Sequence, residues 1–383
     1  MKVAFESQLF LKGNKTGIGW CADNLIKEIA KDPEYQCVCD FFSVRQPEER
    51  INRVREYEKY GVKMNPCKWF HNMLYKLIWP IIPIPYSLFF GRKREITQFF
   101  NFTVPPGVGG KVVTIVHDMT YKAYPETVNK KTRRWLELTL ENSCKRSDII
   151  VTVSEFSKCE IIKYLGIEPD KIAVMPNGVD LKLYHNGYSD KEVWQVKRKY
   201  HIASDYFLYL GTLEPRKNIE RIVESYYMLL QELEKDNVPN LVLAGGKGWL
   251  YDSIFKMIKD LNIEQKVIFT GYVEEQEVPV LMQGATAFVF PSLYEGFGMP
   301  PLEAMACGTP VITSNTSSLP EVVGEAGIQI DPLDTVGLKE AMKQLMEDKE
   351  LARQLGRMGW ERAQEYTWKR SADILKQVYQ KLC

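Results

Sequence analysis

Ala287-Phe-Val-Phe-Pro-Ser-Leu-Tyr-Glu-Gly-Phe-Gly-Met-Pro-Pro-Leu-Glu303 is the stretch on which the fold turns. It opens as an unbroken apolar run, the pattern of a strand covered on both faces. It closes on the start of a helical run at 301–306. Between the two, Gly296 and Gly298 leave the backbone uncrowded, so amides at the helix start can point at an anion that the helix dipole favours. Two carboxylates flank this turn, Glu295 on the loop and Glu303 on the helix. A strand, a glycine-bearing turn and a helix form the repeating unit of a doubly wound α/β sheet, whose ligands sit at the carboxyl ends of the strands.

The same unit recurs on both sides. Residues 207–211, 241–246, 267–272, 287–292 and 310–314 are β-branched or aromatic runs ending in Gly, Ser, Thr or an aromatic, with amphipathic stretches at 218–235 and 252–261 between them. The N-terminal half uses the same grammar less regularly, with strands expected at 2–6, 112–117 and 149–154 and a helix at 132–143. Met175-Pro-Asn-Gly-Val-Asp180 breaks the alternation and suits an interdomain connection. The expected organisation is a Rossmann-like domain at 1–180, a second at 181–365, and a helix at 366–383, set off by Tyr366-Thr-Trp368, that crosses back to the first.

At 383 residues the chain has room for two domains, each with its own core. Charged residues make up 26% and the net charge is +1, which excludes the basic excess of a nucleic-acid binder. The eight cysteines are scattered and none fall at the spacing of a zinc or redox pair, so they read as reduced thiols of a cytoplasmic protein. The N-terminus enters a strand without a secretory apolar stretch. Residues 77–90 are apolar but interrupted by Pro80, Pro83 and Pro85, too short and too broken to span a bilayer.

Four groups of residues carry chemistry. Glu295 and Glu303 can accept hydrogen bonds from vicinal hydroxyls at two ends of one elongated ligand, although acids at a helix start also simply complement its dipole. Arg216 and Lys217, just past the strand 207–211, are placed to neutralise a diphosphate leaving group, or else are two solvated charges before a helix. Thr16-Gly-Ile-Gly19 permits close backbone approach to a phosphate, yet falls short of a dinucleotide fingerprint and alone reads equally as a plain turn. His117-Asp118 ends a strand where an imidazole can touch substrate or be a satisfied core histidine.

Taken together in order and spacing, the glycine loop at 16–19, His117-Asp118-Met-Thr, Val153-Ser-Glu-Phe-Ser157, Pro176-Asn-Gly-Val-Asp180, the segment 211–218, Ala244-Gly-Gly246 and the glutamates within 292–303 resemble family 4 of the retaining glycosyltransferases, over nearly the whole chain. The resemblance implies the GT-B fold, two Rossmann-like doubly wound domains facing a cleft. It implies that Glu303 holds the donor ribose, Glu295 the donor hexose hydroxyls, and Arg216 and Lys217 the diphosphate. Gly17 would approach the phosphates and His117 the transferred sugar or the acceptor, with domain closure needed for transfer. The substrate-binding set it implies is Gly17, Gly19, Asp118, Gly211, Gly296, Phe297, Gly298, Met299 and Glu303. One departure is Thr212, where many relatives carry arginine, so the cationic clamp rests on Arg216 and Lys217.

No enzymic nucleophile and no Asp-any-Asp pair after an apolar strand stands out, so retention is expected by front-face displacement without a metal or a cofactor. The subgroup resembled is that of bacterial mannosyltransferases of surface polysaccharide assembly, which makes GDP-mannose the leading donor and UDP-glucose or another nucleotide hexose the alternative. A nucleotide-sugar-binding module, or an epimerase without transfer, is the reading from another class. Residues 68–76, with Arg92-Lys-Arg94 downstream, mix aromatic and basic side chains as an interfacial surface would, or as a domain core with solvated lysines. A lipid-linked glycan acceptor and peripheral contact with the inner face of the cell membrane are the corresponding expectations.

Overall fold

The computed structural model describes residues 1–12, 17–246, 248 and 252–383. The chain divides into two compact units, Met1–Gly178 with Trp368–Cys383, and Val179–Thr367. Each is built on one parallel sheet.

The first sheet has seven strands, β1 (Lys2–Glu6), β2 (Gln36–Phe42), β3 (Lys63–Cys67), β4 (Ile96–Phe99), β5 (Lys111–Ile115), β6 (Ile149–Thr152) and β7 (Ile172–Val174), in the order β3-β2-β1-β4-β5-β6-β7. Every pairing is parallel. Val3, Ala4 and Phe5 on β1 and Ile150 and Val151 on β6 are fully buried, as strands covered by helices on both faces must be. The helix Lys130–Arg146 is longer at both ends than its apolar pattern indicates, its early start fixed by Asn129, which accepts a hydrogen bond from the Lys131 amide.

The helix Trp368–Leu382 belongs to this unit and packs on the helix Gly17–Ala30. Its apolar side buries Ala372, Leu375 and Tyr379. The Tyr379 hydroxyl donates to Gln98 Oε1 at 2.9 Å, and Lys376 Nζ donates to Asp32 Oδ2 at 2.9 Å. Ser371 Oγ donates to the Pro176 carbonyl at 2.6 Å, fastening the start of the helix to the loop after β7.

The second sheet has six strands, β8 (Tyr206–Leu210), β9 (Asn240–Ala244), β10 (Val267–Gly271), β11 (Ala287–Phe290), β12 (Val311–Ser314) and β13 (Gly327–Ile330), ordered β10-β9-β8-β11-β12-β13. These pairings too are parallel. The order reverses between β8 and β11, so the loops after these two strands diverge from neighbouring ends and leave a crevice there. At the end of β9 the backbone comes so close to that of β8 that a Cβ on Gly245, at φ +135°, would lie 2.0 Å from the Gly211 carbonyl oxygen.

All eight cysteines are free thiols, six of them buried. Among the described residues no helix is long and apolar enough to cross a membrane. Leu375 is completely buried where the last helix meets the first unit. Leu375→Ala is therefore expected to destabilise that unit by about 2–5 kcal/mol, read as a lower urea midpoint together with faster hydrogen exchange in β1 and β2.

Candidate active site

The site grows from the strand reversal in the second unit. Because β8 and β11 are neighbours, the segments 211–218 and 291–298 that follow them run side by side. Their backbones are tied directly, the Leu293 amide donating to the Arg216 carbonyl at 2.9 Å. Asn218, in the left-handed region at φ 59°, donates through Nδ2 to the carbonyls of Pro291 at 3.0 Å and Pro332 at 2.7 Å. An asparagine tolerates this conformation better than most residues, and here it also closes the short turn Pro215–Lys217 that presents the two cations.

Those cations meet Glu295. Lys217 Nζ lies 2.6 Å from Oε1 and Arg216 Nη1 2.9 Å from Oε2. Ser292 Oγ adds a donated hydrogen bond to Oε1 at 2.6 Å. Arg216 is itself oriented by Glu214, whose Oε1 accepts from Nη2 at 2.8 Å, and by the Tyr294 carbonyl, which accepts from Nη1 at 2.5 Å. Burial works against the Glu295 charge, but Arg216 and Lys217 override it and hold the carboxyl at about 2. Burial and the Arg216 charge draw the Lys217 ammonium below its usual range while Glu295 opposes them. Lys217 also lies over the Phe290 ring, 4.8 Å from its centroid.

The turn behind Glu295 is equally fixed. Its amide donates to Ser317 Oγ at 3.1 Å, and Ser318 Oγ shares its one hydrogen between the carbonyls of Glu295 at 2.9 Å and Phe297 at 2.8 Å. Gly298 begins the helix Met299–Ala306 at φ +115°, where a Cβ would lie 2.7 Å from Leu319 Cδ2. Gly296 and Phe297 are buried in this turn, Phe297 edge-on to Tyr366 at 5.9 Å, and Met299 is half-buried. Phe297 thus serves as a wedge under the loop.

Glu303, on the next turn of that helix, lies outside the ion cluster. Among the described residues no hydrogen bond reaches its carboxyl. Burial, reinforced by the Glu275 charge, pushes it up to about 8. Two glutamates eight residues apart are thus held in opposite states, Glu295 ionised and Glu303 protonated at neutral pH.

The remaining sequence candidates lie in the first unit. His117 follows β5 and is buried, its Nε2 lying 2.8 Å from the Phe100 carbonyl. A carbonyl only accepts, so Nε2 carries the proton and Nδ1 keeps its lone pair. Burial lowers the imidazole pKa, so the ring is neutral at ordinary pH. Asp118 Oδ1 accepts from the Thr120 amide at 2.9 Å and closes the turn after His117. Gly17 is exposed at the start of its helix with open space where a Cβ would be, and Gly19 is buried. Thr16, in the same glycine loop, lies outside the described residues.

The structure therefore gathers Arg216, Lys217 and Glu295 into one cluster, with Gly211 at the end of β8 and Glu303 on the following helix. Glu214, Ser292 and Ser317 join this machinery without having been singled out in the sequence. The position of Glu214, two residues before Arg216, is the one signal that could have marked it. Among the described residues no group of His, Cys, Asp and Glu is arranged to hold a metal ion.

Residues 16–183 match the family described as Glycosyltransferase Family 4, and residues 191–362 match Glycosyl transferases group 1. The chain is similar to the O-antigen chain mannosyltransferase B of Escherichia coli, 36% identical over 269 residues that make up 70% of this chain and 69% of that protein. It is also similar to the O-antigen chain mannosyltransferase RfbU of Salmonella typhimurium, 31% identical over 67% of this chain and 66% of that one. Among solved structures, HepE of Anabaena in complex with UDP and glucose aligns at a TM-score of 0.70 and 17% identity, covering 100% of this chain and 99% of that one, a likeness of fold. Two doubly wound parallel sheets of this kind are the GT-B architecture of glycosyltransferases. The chain belongs to glycosyltransferase family 4.

The Glu303 state has a measurable consequence. The folded chain keeps this proton up to about 8, whereas a carboxyl at its ordinary value of 4.5 has released it, so folding takes up a proton between those values. The contribution is complete below about 4.5 and is lost as pH rises toward 8. Glu303→Gln is expected to flatten this decline, raising the melting temperature of the ligand-free protein at pH 8 while leaving it unchanged at pH 5.

Proposed function

We propose that the protein is a retaining mannosyltransferase of surface polysaccharide assembly, moving mannose from GDP-mannose to a glycan or lipid-linked glycan at the cytoplasmic face of the membrane. The transferase reading is carried by the pair of cations, Arg216 and Lys217, held by Glu295 at one strand reversal. The choice of mannose is supported by the relatives named above, which are O-antigen mannosyltransferases.

In this reading Glu303, protonated and with no hydrogen-bond partner among the described residues, both donates and accepts hydrogen bonds and so suits the paired hydroxyls of a ribose. Glu295 has three of its lone-pair sites taken by Lys217, Arg216 and Ser292, which leaves little room for sugar hydroxyls. Its larger task is to hold the two cations at the diphosphate. Lys217 gives one of its three N–H donors to Glu295 and keeps the others for phosphate oxygens.

The acceptor hydroxyl oxygen bonds to the sugar C1 as the C1–phosphate oxygen bond breaks on the same face, and the hydroxyl proton passes to the departing phosphate oxygen. Configuration is retained because entry and departure share a face. Positive charge from Arg216 and Lys217 stabilises the diphosphate as it leaves, and neither a divalent ion nor a cofactor enters the proposal. His117, with Nδ1 open to accept, is assigned to a hydroxyl of the transferred sugar or of the acceptor. UDP-glucose is the second donor to consider, since the similarly folded HepE was solved with UDP and glucose.

Calorimetric titration with GDP-mannose and with UDP-glucose, followed by assay of nucleotide release, tests this reading. Binding and slow hydrolysis of GDP-mannose are expected. Glu303→Ala and Lys217→Ala should abolish donor binding, whereas His117→Ala should leave it intact and slow transfer at least about tenfold, equivalent to about 1.4 kcal/mol of barrier. Normal binding by Glu303→Ala would overturn the donor assignment, and binding without release would favour a nucleotide-sugar-binding module.

A further inference from the structure

The most unusual surface of the first unit is apolar. Among the described residues thirteen large hydrophobic side chains are exposed, and seven of them fall between residues 69 and 88. On the helix Asn72–Ile78, Met73, Leu74 and Leu77 share a sector of about 100°. That sector faces solvent, with Leu77 64% exposed, while Tyr75 and the following Trp79 are buried on the opposite side. The helix is therefore apolar on its outer face as well as its inner one, the reverse of a helix that merely covers a core.

The face continues past the helix. The Ile81 and Ile82 amides both donate to the Ile78 carbonyl, extending the turn and leaving Ile81 83% exposed. On the other side Trp69, also exposed, stacks on Phe89 at 5.1 Å beside the exposed Leu88. Phe89 packs inward against the buried Tyr75 at 4.9 Å, so the exposed side chains of the helix and those around Trp69 and Leu88 stand on one shared aromatic base.

Its own segment carries only positive charge. Residues 68–94 contain five Lys or Arg and no Asp or Glu, in a chain whose net charge is only +1, although Lys76 feels the charge of Glu6 and the exposed Glu95 follows directly. Arg94 drops out of the basic surface expected from the sequence, because its guanidinium is buried on the Asp40 carboxylate and the Phe90 carbonyl. Lys68, Arg92 and Lys93 remain exposed.

We propose that this face docks the protein on a bilayer surface bearing anionic lipids, with the Leu77 and Ile81 region entering the headgroup boundary and Lys68, Arg92 and Lys93 meeting lipid phosphates. A segment of apolar side chains and bases that contains no acid has the composition of an interfacial one, and Pro80, Pro83 and Pro85 keep it from being a spanning one. The one-sided charge selects an anionic lipid surface over a neutral protein groove. The inference goes beyond the transfer reaction and does not depend on which donor is used.

Flotation of the full chain with vesicles of phosphatidylcholine, with and without phosphatidylglycerol, tests it. Binding to the phosphatidylglycerol vesicles is expected, weakened at least about tenfold by Leu77→Glu with Ile81→Glu and several-fold by Arg92→Glu with Lys93→Glu, the second pair also lowering its salt sensitivity. Because these side chains are exposed, the variants should keep their melting temperature and their hydrolysis of soluble GDP-mannose. Absence of flotation by the unaltered chain would overturn the proposal, as would flotation unaffected by either pair. A dimer in sedimentation that Ile81→Glu dissociates, without vesicle binding, would assign the face to a second copy instead.

Discussion

The contact between Lys217 and Glu295 joins residues 78 positions apart, and much of the second unit is arranged around it. The two meet because the chain places β11 next to β8 and reverses the direction of winding there. Around that junction the Arg216 carbonyl, Asn218 and Ser292 stitch one loop to the other. Ser317 and Ser318 then fix the turn that launches the helix carrying Glu303. A buried ion pair of this sort is not a source of large net stability, since desolvation offsets most of the attraction. What it supplies is register, because only one alignment of the two loops leaves neither charge unpaired.

The contrast between Glu295 and Glu303 shows how little residue type decides. Glu295 is buried and Glu303 half-buried, and in both the loss of water favours the neutral acid. Two cations within 3 Å reverse that preference for Glu295, while Glu275 strengthens it for Glu303. One carboxylate is spent on organising positive charge and the other is kept available as a neutral polar group. The proposed binding of a diphosphate and of hydroxyl-rich rings would call on both kinds of group.

Much of this could be read in the chain itself where apolar runs are unbroken. Strands β1, β8, β9 and β11 are such runs, and the doubly wound, parallel character of the second sheet followed from their alternation with helices, whereas the neighbouring of β8 and β11 did not. Strands β2, β4 and β13 were not legible, because each carries a polar residue whose partner is not nearby in that strand. Asp40 is matched by Arg94, 54 residues on, and Gln98 by Tyr379, 281 residues on, while Gln329 turns back to the Gly324 carbonyl. The site residues Arg216, Lys217, Glu295 and Glu303 were visible as types at suggestive positions. Their pairing was not, since a diphosphate-binding cation and a carboxylate-bound cation look alike in sequence. Arg94 was sorted with its exposed neighbours for the same reason.

The helix Trp368–Leu382 completes a unit that begins with β1, so the second unit is in effect an insertion within the first. During synthesis, residues 179–367 can close their own core before the first unit has its last helix. Until residue 379 emerges, Gln98 lacks its buried hydroxyl donor and the helix Gly17–Ala30 has one apolar flank bare. The half made first is therefore finished last, and in the interval its uncovered apolar surface is of the kind that favours aggregation.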